Sequence, residues 1–157
     1  MQTAAFEHLK VHILSLSQTQ NFEQARHEWD LVSVEISDEL DNCPCGQEIR
    51  EHCYIRNRLT GSETYVGNVC INRFLQIDTG TLFDGLKRIR SNLAARPNTA
   101  LIEYANQAGF LFDKEYGFLT SIKRKRALSP PQSGWLEKIN RRILGHVVVK
   151  RRGHGAT

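Results

Sequence analysis

The spacing of apolar residues along the chain predicts helices near both ends and strands between them. Phe6, Leu9 and Ile13 recur at helical spacing in the first 16 residues, whereas residues 30–36 alternate apolar and polar side chains as a half-buried strand does. Glycine-rich and polar segments separate these patterns. The predicted helices cover 3–16, 21–29, 71–77, 81–95, 99–108, 113–126 and 130–145, and the predicted strands cover 30–36, 51–58, 63–66 and 146–150.

Turn and capping signals give several of these elements their expected ends. The segment 60–62, Thr-Gly-Ser, predicts the turn of a β-hairpin between the two middle strands. Asp113 is the predicted N-cap of the helix that it begins, and the basic residues 123–126 form its predicted last turn, where cations suit the helix dipole. Ser129 is then expected to cap a final helix that begins with Pro130.

All four cysteines of the chain lie within one stretch of 28 residues. Their spacing is C-x-C, then seven residues, then C, then sixteen residues, then C. The sequence CPCG favours a tight knuckle because Gly46 gives the backbone extra freedom, and the last cysteine falls at the start of a predicted helix. Zinc binds four thiolates in tetrahedral geometry. The pattern therefore predicts a structural Zn²⁺ ion held by Cys43, Cys45, Cys53 and Cys70.

His52 is the alternative to Cys53 as a zinc ligand. Neighbouring residues on a strand face opposite sides, so only one of the two can point at the metal. We favour Cys53, because a fourth thiolate completes the set. The other interpretation of the whole pattern is four reduced cysteines that pack as small apolar side chains.

Catalytic chemistry is not indicated by any motif of the chain. Four thiolates leave no open position on zinc for water or substrate. The sequence has no P-loop, no G-x-S-x-G, no H-E-x-x-H and no deaminase signature. His8 and His12, four residues apart on the first helix, are expected on a solvated face. We therefore expect a protein that is not an enzyme.

Charge is unevenly distributed along the chain. Residues 123–152 hold ten Lys/Arg and one Glu, a net charge of +9, whereas the remainder carries −5. A basic end on an acidic body suits contact with a polyanion or with an acidic protein. The candidate nucleic-acid-binding residues are Lys123, Arg124, Lys125, Arg126, Arg141, Arg142, Lys150, Arg151 and Arg152.

Together these patterns predict a single α+β domain over residues 1–157. Its apolar share of 40% is enough for a core. No run approaches the roughly 18 apolar residues of a membrane span, and the N-terminus lacks the features of a signal peptide, so a cytoplasmic protein without membrane contact is expected. The predicted parts are a treble-clef-like zinc module of knuckle, hairpin and helix at 30–77, flanked by N-terminal helices, a helical region at 81–144 and a basic tail at 145–157.

Four segments carry a resemblance to a known group of proteins: EWDLVSVEI, CPCGQEI, CYIRNRLTG and YVGNVCINRF. They resemble small zinc-binding proteins of bacteriophages, prophages and other mobile elements. The later stretch FLTSIKRKRALSPPQSGWLEKINRRIL is similar to the C-terminal part of those proteins. The resemblance covers residues 28–77 and, more loosely, 99–144. It implies a zinc-binding module and an origin in a mobile element, and it implies no activity.

The resulting hypothesis is a zinc-stabilised, non-catalytic nucleic-acid-binding accessory protein of a phage or mobile element. Zinc would order the hairpin, and the basic residues would contact the phosphates of DNA or RNA. The alternative hypothesis is a protein–protein adaptor or inhibitor that binds a host polymerase, nuclease or defence complex.

Overall fold

The structure, a computed structural model, describes residues 3–149 and divides into two compact units. The first unit contains residues 3–79 and Val149, and the second contains Gly80–Val148. Helices and an antiparallel sheet occur together, which confirms the predicted α+β class. The elements of the first unit are α1 (Ala4–Ser15), α2 (Phe22–Ala25), a 3₁₀ turn (Arg26–Glu28), β1 (Trp29–Asn42), β2 (Glu48–Asn57), β3 (Glu63–Val66) and α3 (Asn68–Leu75). The elements after residue 79 are α4 (Gly80–Ser91), α5 (Thr99–Gln107), α6 (Asp113–Ile122), α7 (Pro130–Val147) and β4 (Val148–Val149).

The sheet of the first unit is built around the long strand pair β1 and β2. Their antiparallel register runs from Trp29 opposite Asn57 to Asn42 opposite Glu48, with an irregularity between residues 36 and 41. β3 pairs with the other edge of β2, and the strand order is β3-β2-β1-β4. The chain connection between β1 and β2 is the CPCG segment, so the knuckle lies at one end of the sheet.

Apolar side chains of α1, α2 and α3 form the core beside this sheet. Leu9 and Ile13 of α1 are fully buried, as their helical spacing predicts. Phe74 of α3 packs against Phe22 in a tilted arrangement, with ring centroids 5.2 Å apart, and contacts the Trp29 ring edge-on with centroids 6.4 Å apart. These aromatic contacts join α2, the start of β1 and α3.

A buried polar network closes the hairpin between β2 and β3. The Asn57 side chain accepts hydrogen bonds from the backbone N–H groups of Leu59 and Thr60, and its amide group donates to Glu28 at 2.9 Å. The Glu28 carboxylate also accepts from the N–H groups of Gln18 and Thr19. Asn57 therefore holds the turn together.

The second unit is a group of four helices with its own apolar core. Leu86, Leu101 and Leu119, from α4, α5 and α6, are fully buried. Asn98 caps α5 by accepting from Leu101 N–H, and its amide donates to the Thr81 carbonyl. A Cβ on Gly85 would lie 2.7 Å from the Asn98 amide, so glycine permits this close approach of the cap to α4.

An ion pair between α6 and α7 anchors the last helix. Glu115 is 2% exposed, and its carboxylate accepts from the Arg142 guanidinium at 2.9 Å and from the Trp135 indole N–H at 3.2 Å. Burial alone would raise the pKa of Glu115, but the hydrogen bonds from Arg142, the Phe112 N–H and Trp135 lower it below its ordinary value. Arg142 also donates to the Phe110 carbonyl.

Two predicted helix ends around α6 are wrong. The N-cap is Phe112 and not Asp113, which is the first helical residue, because the Glu115 side chain accepts from the Phe112 N–H. The helix ends at Ile122, so residues 123–126 follow it and do not form its last turn. A turn in which the Lys125 N–H bonds to the Ile122 carbonyl replaces the helical pattern there.

Boundaries of other elements also differ from the prediction: β2 begins at Glu48, α3 covers Asn68–Leu75 and α4 ends at Ser91. β1 continues beyond residue 36 to Asn42, because Asp41 and Asn42 pair with Ile49 and Glu48 of β2 after the irregularity. α7 reaches Val147, so the first residues of the predicted tail at 145–157 are helical. Over residues 3–149, no helix has the length and apolar character that a membrane crossing requires.

Replacing Glu115 with Gln tests the ion pair as a stabilising element of the second unit. We expect the free energy of unfolding at pH 7 to fall by about 3 kcal/mol, because Arg142 would keep its charge against a neutral amide. Urea denaturation measures this loss. Asp84→Asn, at an exposed position of α4, is the control and should stay within about 0.5 kcal/mol of the wild type.

The same variant gives a pH signature. Because the pKa of Glu115 is lower in the folded protein, its contribution is present above the ordinary value of 4.5 and declines as pH falls through the folded value. As the pH falls through this range, the free energy of unfolding of Glu115→Gln should therefore decline less than that of the wild type. An unchanged pH profile in the variant would contradict the assigned role of the pair.

Candidate metal centre

The CPCG sequence forms a tight turn between β1 and β2. The Cys43 N–H donates to the Gln47 carbonyl at 2.8 Å, and the Gly46 N–H donates to the Cys43 carbonyl at 2.8 Å. Gly46 has φ of +100°, a conformation that side-chain-bearing residues rarely adopt. This turn brings the Sγ atoms of Cys43 and Cys45 within 4.8 Å of each other.

Three thiol groups meet beside this turn. The Sγ atoms of Cys43, Cys45 and Cys70 all lie within 4.8 Å of one another, and the three side chains are buried. Cys70 comes from the first turn of α3, where the Gly67 carbonyl accepts from the Ile71 N–H. Sulfur atoms around tetrahedral zinc are roughly 3.8 Å apart, given Zn–S bonds of about 2.3 Å. This group, called the thiol cluster below, can therefore hold a metal ion.

Hydrogen bonds favour a thiolate within the thiol cluster. The Cys70 thiol and the N–H groups of Cys45 and Gly67 donate to the Cys43 sulfur and lower the pKa of Cys43 to about 5, although burial opposes this. The same contact raises the pKa of Cys70, which keeps its proton. Metal ligands must be deprotonated, so a cation that binds here would displace the proton of Cys70.

Cys53, the fourth predicted ligand, is not a member of the thiol cluster. Its side chain is fully buried on β2, and its Sγ lies 3.8 Å from the Thr79 hydroxyl. Burial raises the pKa of Cys53 to about 12, with the Glu51 and Cys43 charges adding to the effect. Cys53 pairs with Val66, which directly precedes Gly67, so β3 connects it to the cluster. Its role as a ligand stays a prediction.

His52 makes contacts that direct it away from the ligand role. Its Nε2 lies 3.2 Å from the Asp41 carboxylate and its Nδ1 lies 3.2 Å from the Arg50 carbonyl. The ring also packs against Tyr65, with centroids 4.8 Å apart. Because both nitrogens already have partners, the structure does not bring His52 to the thiol cluster.

His12 is a residue that sequence reasoning missed. It is half-buried, and its Nε2 lies 2.8 Å from the Thr64 hydroxyl of β3. Burial lowers the pKa of His12, while the nearby Cys43 charge raises it. The expectation of a solvated helix face is therefore wrong for His12. No sequence signal could have shown this, because its partner lies 52 residues away.

The candidate nucleic-acid-binding residues divide into several groups. Lys123, Arg124, Lys125 and Arg126 are all exposed after the end of α6. Arg141 is exposed on α7, whereas Arg142 contacts Glu115 and stabilises the fold. Three further candidates lie outside the described residues: Lys150, Arg151 and Arg152.

The second unit also brings together basic residues that are distant in sequence. Arg88, Arg96, Lys123 and Arg126 line one cleft with a volume of about 550 Å³, called the basic cleft below. Arg88 lies near the end of α4, and Arg96 lies in the loop between α4 and α5. Neither residue was singled out from the sequence, because each is isolated from the basic run at 123–126 along the chain.

Comparison with known proteins finds no relative of the chain. No protein-family model, curated protein or solved structure matches the chain.

Replacing Gly46 with Ala tests whether the turn conformation supports the thiol cluster. If the thiol cluster holds a metal ion, the variant should release it at a lower chelator concentration than the wild type, because a side chain at this positive φ strains the knuckle by about 1–2 kcal/mol. Gly61→Ala is the matched control. Gly61 also has positive φ and open space for a Cβ, but it lies in the hairpin turn. Equal chelator sensitivity of the two variants would refute a specific role for Gly46.

Proposed function

We propose that the thiol cluster binds Zn²⁺ and that the zinc stabilises the first unit. The donor set favours zinc because buried thiolates are among its preferred ligands in structural sites. The order of knuckle, hairpin and helix, with Cys70 in the first turn of α3, supports a treble-clef-like module. Zinc in such a site is a structural element and does no chemistry when four protein ligands surround it.

The fourth ligand of this proposed site is Cys53, as the sequence predicts. Cys53 belongs to the strand next to β3, and the Cys43 charge acts on it. Zinc would stabilise its thiolate over the thiol that burial favours. Such a set of four cysteines supports a closed, structural site.

Metal analysis of the purified protein tests the zinc proposal. We expect about one zinc per chain, and we expect Cys45→Ser to lose the zinc and much of the stability of the first unit, because the free energy of binding contributes to folding. Cys53→Ser tests the fourth ligand and should also weaken zinc retention. A wild-type protein that is fully folded without metal would refute the proposal.

We further propose that the protein binds nucleic acid through its second unit, in the accessory role of a phage or mobile-element protein. The observation that carries this proposal is the division of charge between the units. Residues 80–148 hold twelve Lys/Arg and five Asp/Glu, a net charge of +7, whereas residues 3–79 hold six and twelve, a net charge of −6. A strongly basic unit attracts polyanions and supports binding that depends little on sequence.

The exposed segment after α6 is the main phosphate-contacting part in this proposal. Arg124 and Lys125 extend from it without lining the basic cleft, so they can reach the phosphates of a bound strand. Arg142 is left out, because its guanidinium stabilises α6 against α7. Trp135 is not expected to stack on a nucleic-acid base, because its ring already stacks on Phe118 with ring centroids 4.1 Å apart.

A double variant, Arg124→Gln with Lys125→Gln, tests this interface. We expect weaker binding to single-stranded and duplex nucleic acid, because two phosphate contacts would be lost. The magnitude of the slope of log affinity against log salt concentration should fall by about 1.8 for duplex DNA and by about 1.4 for single strands. Fluorescence anisotropy between about 50 and 200 mM salt measures both quantities.

The matched control removes the same charge from the acidic unit. Arg56 and Arg73 are exposed there, and changing both to Gln should leave the salt slope nearly unchanged. If the wild type binds no nucleic acid at about 50 mM salt, the proposal fails, because phosphate contacts are strongest at low salt.

A further inference from the structure

The basic cleft of the second unit has the composition of an anion site. Four cationic side chains line it, and none of the residues lining it in the described part of the chain is Asp or Glu. Like charges that converge in one cleft repel one another, and a bound anion relieves that repulsion. The remaining polar side chains of the lining are Asn92 and Ser133, which can donate further hydrogen bonds.

One donor in the cleft has no protein partner. The Nε of Arg96 is buried and makes no hydrogen bond among the described residues. The Arg96 guanidinium is therefore not fully satisfied by acceptors within the described part of the chain.

The fold holds the loop that carries Arg96 in place. The Asn140 side chain of α7 is fully buried and donates to the carbonyls of Leu93 and Ala95, at 2.8 and 2.9 Å. The Ala95 N–H in turn donates to the Asn92 carbonyl. Lys123, which directly follows α6, donates a hydrogen bond to the Thr99 hydroxyl at the start of α5. The cleft is therefore preorganised, which lowers the entropic cost of binding.

The first turn of α7 contributes to the same cleft. Ser133 lies in that turn, and Ala127 and Leu128 lead into it. The turn is the positive end of an 18-residue helix dipole. A negatively charged group in the cleft would gain from this dipole as well as from the four cations.

We propose that the basic cleft binds the terminal phosphate of a nucleic-acid strand. This inference rests on the proposed function and names the part of the ligand that the cleft takes. A terminal phosphate monoester carries up to two negative charges and three free oxygens, whereas an internal phosphodiester carries one charge and two free oxygens. The more highly charged group matches the four cations of the cleft better. Arg124 and Lys125 then contact the phosphates that follow along the strand.

Binding of short single strands that differ only in their ends tests this proposal. The probes are one labelled 12-mer with hydroxyl groups at both ends, and the same 12-mer with a 5′-phosphate or with a 3′-phosphate. We expect the wild type to bind one of the phosphorylated strands about tenfold more tightly than the hydroxyl strand, and inorganic phosphate to reduce that preference.

Two variants and one control link the preference to the cleft. Arg96→Gln and Arg126→Gln should each remove most of the preference for the phosphorylated end, so that the ratio of the affinities for the phosphorylated and the hydroxyl strand falls to near one. Arg126 is exposed, so its variant is expected to fold even if Arg96→Gln does not. Arg90→Gln removes an exposed charge of α4 outside the cleft lining and should keep the preference.

The outcomes separate this inference from the proposed function. Equal wild-type affinity for the phosphorylated and hydroxyl strands overturns the terminal-phosphate site and leaves nucleic-acid binding standing. A preference that survives in Arg126→Gln also overturns it. If no strand binds at about 50 mM salt, the proposed function itself fails, and this inference fails with it.

Discussion

The meeting of three buried sulfurs beside the β1–β2 turn is the constraint on which the first unit depends. It joins the end of the long strand pair to the first turn of α3, two parts of the chain that are 27 residues apart. The position of α3 then determines where Phe74 packs against Phe22 and Trp29. Without a cation, hydrogen bonds from the Cys70 thiol and from two backbone N–H groups favour a thiolate at Cys43. A bound metal would displace the Cys70 proton, would form strong bonds to the sulfurs and would stabilise the whole arrangement.

The second unit uses a different kind of interaction for its polar interior. Glu115 and Arg142 neutralise each other between α6 and α7, and Asn140 holds the loop before α5. With Arg142 satisfied internally, most of the remaining cations of this unit are left at its surface. The two proposed roles therefore belong to different units. The acidic first unit would bind the metal ion, and the basic second unit would bind phosphate.

Local patterns in the sequence predicted most of the helices and strands, but fewer of the contacts that residues make across the fold. The helical spacing of Leu9 and Ile13 and the Ser129-Pro130 start of α7 are local signals, and both predictions are confirmed. Three of the four cysteines meet as the C-x-C spacing and the helix-start position suggested. What the sequence could not show depends on contacts between distant residues. His12 beside Thr64 and Arg96 beside the basic run are examples, because neither contact leaves a periodic or spaced pattern.

The thiol cluster can be tested most directly by X-ray absorption at the zinc edge of the purified protein. The account predicts one zinc per chain with at least three sulfur neighbours at about 2.3 Å. Absence of zinc, or a zinc ion surrounded only by nitrogen and oxygen atoms, would contradict it.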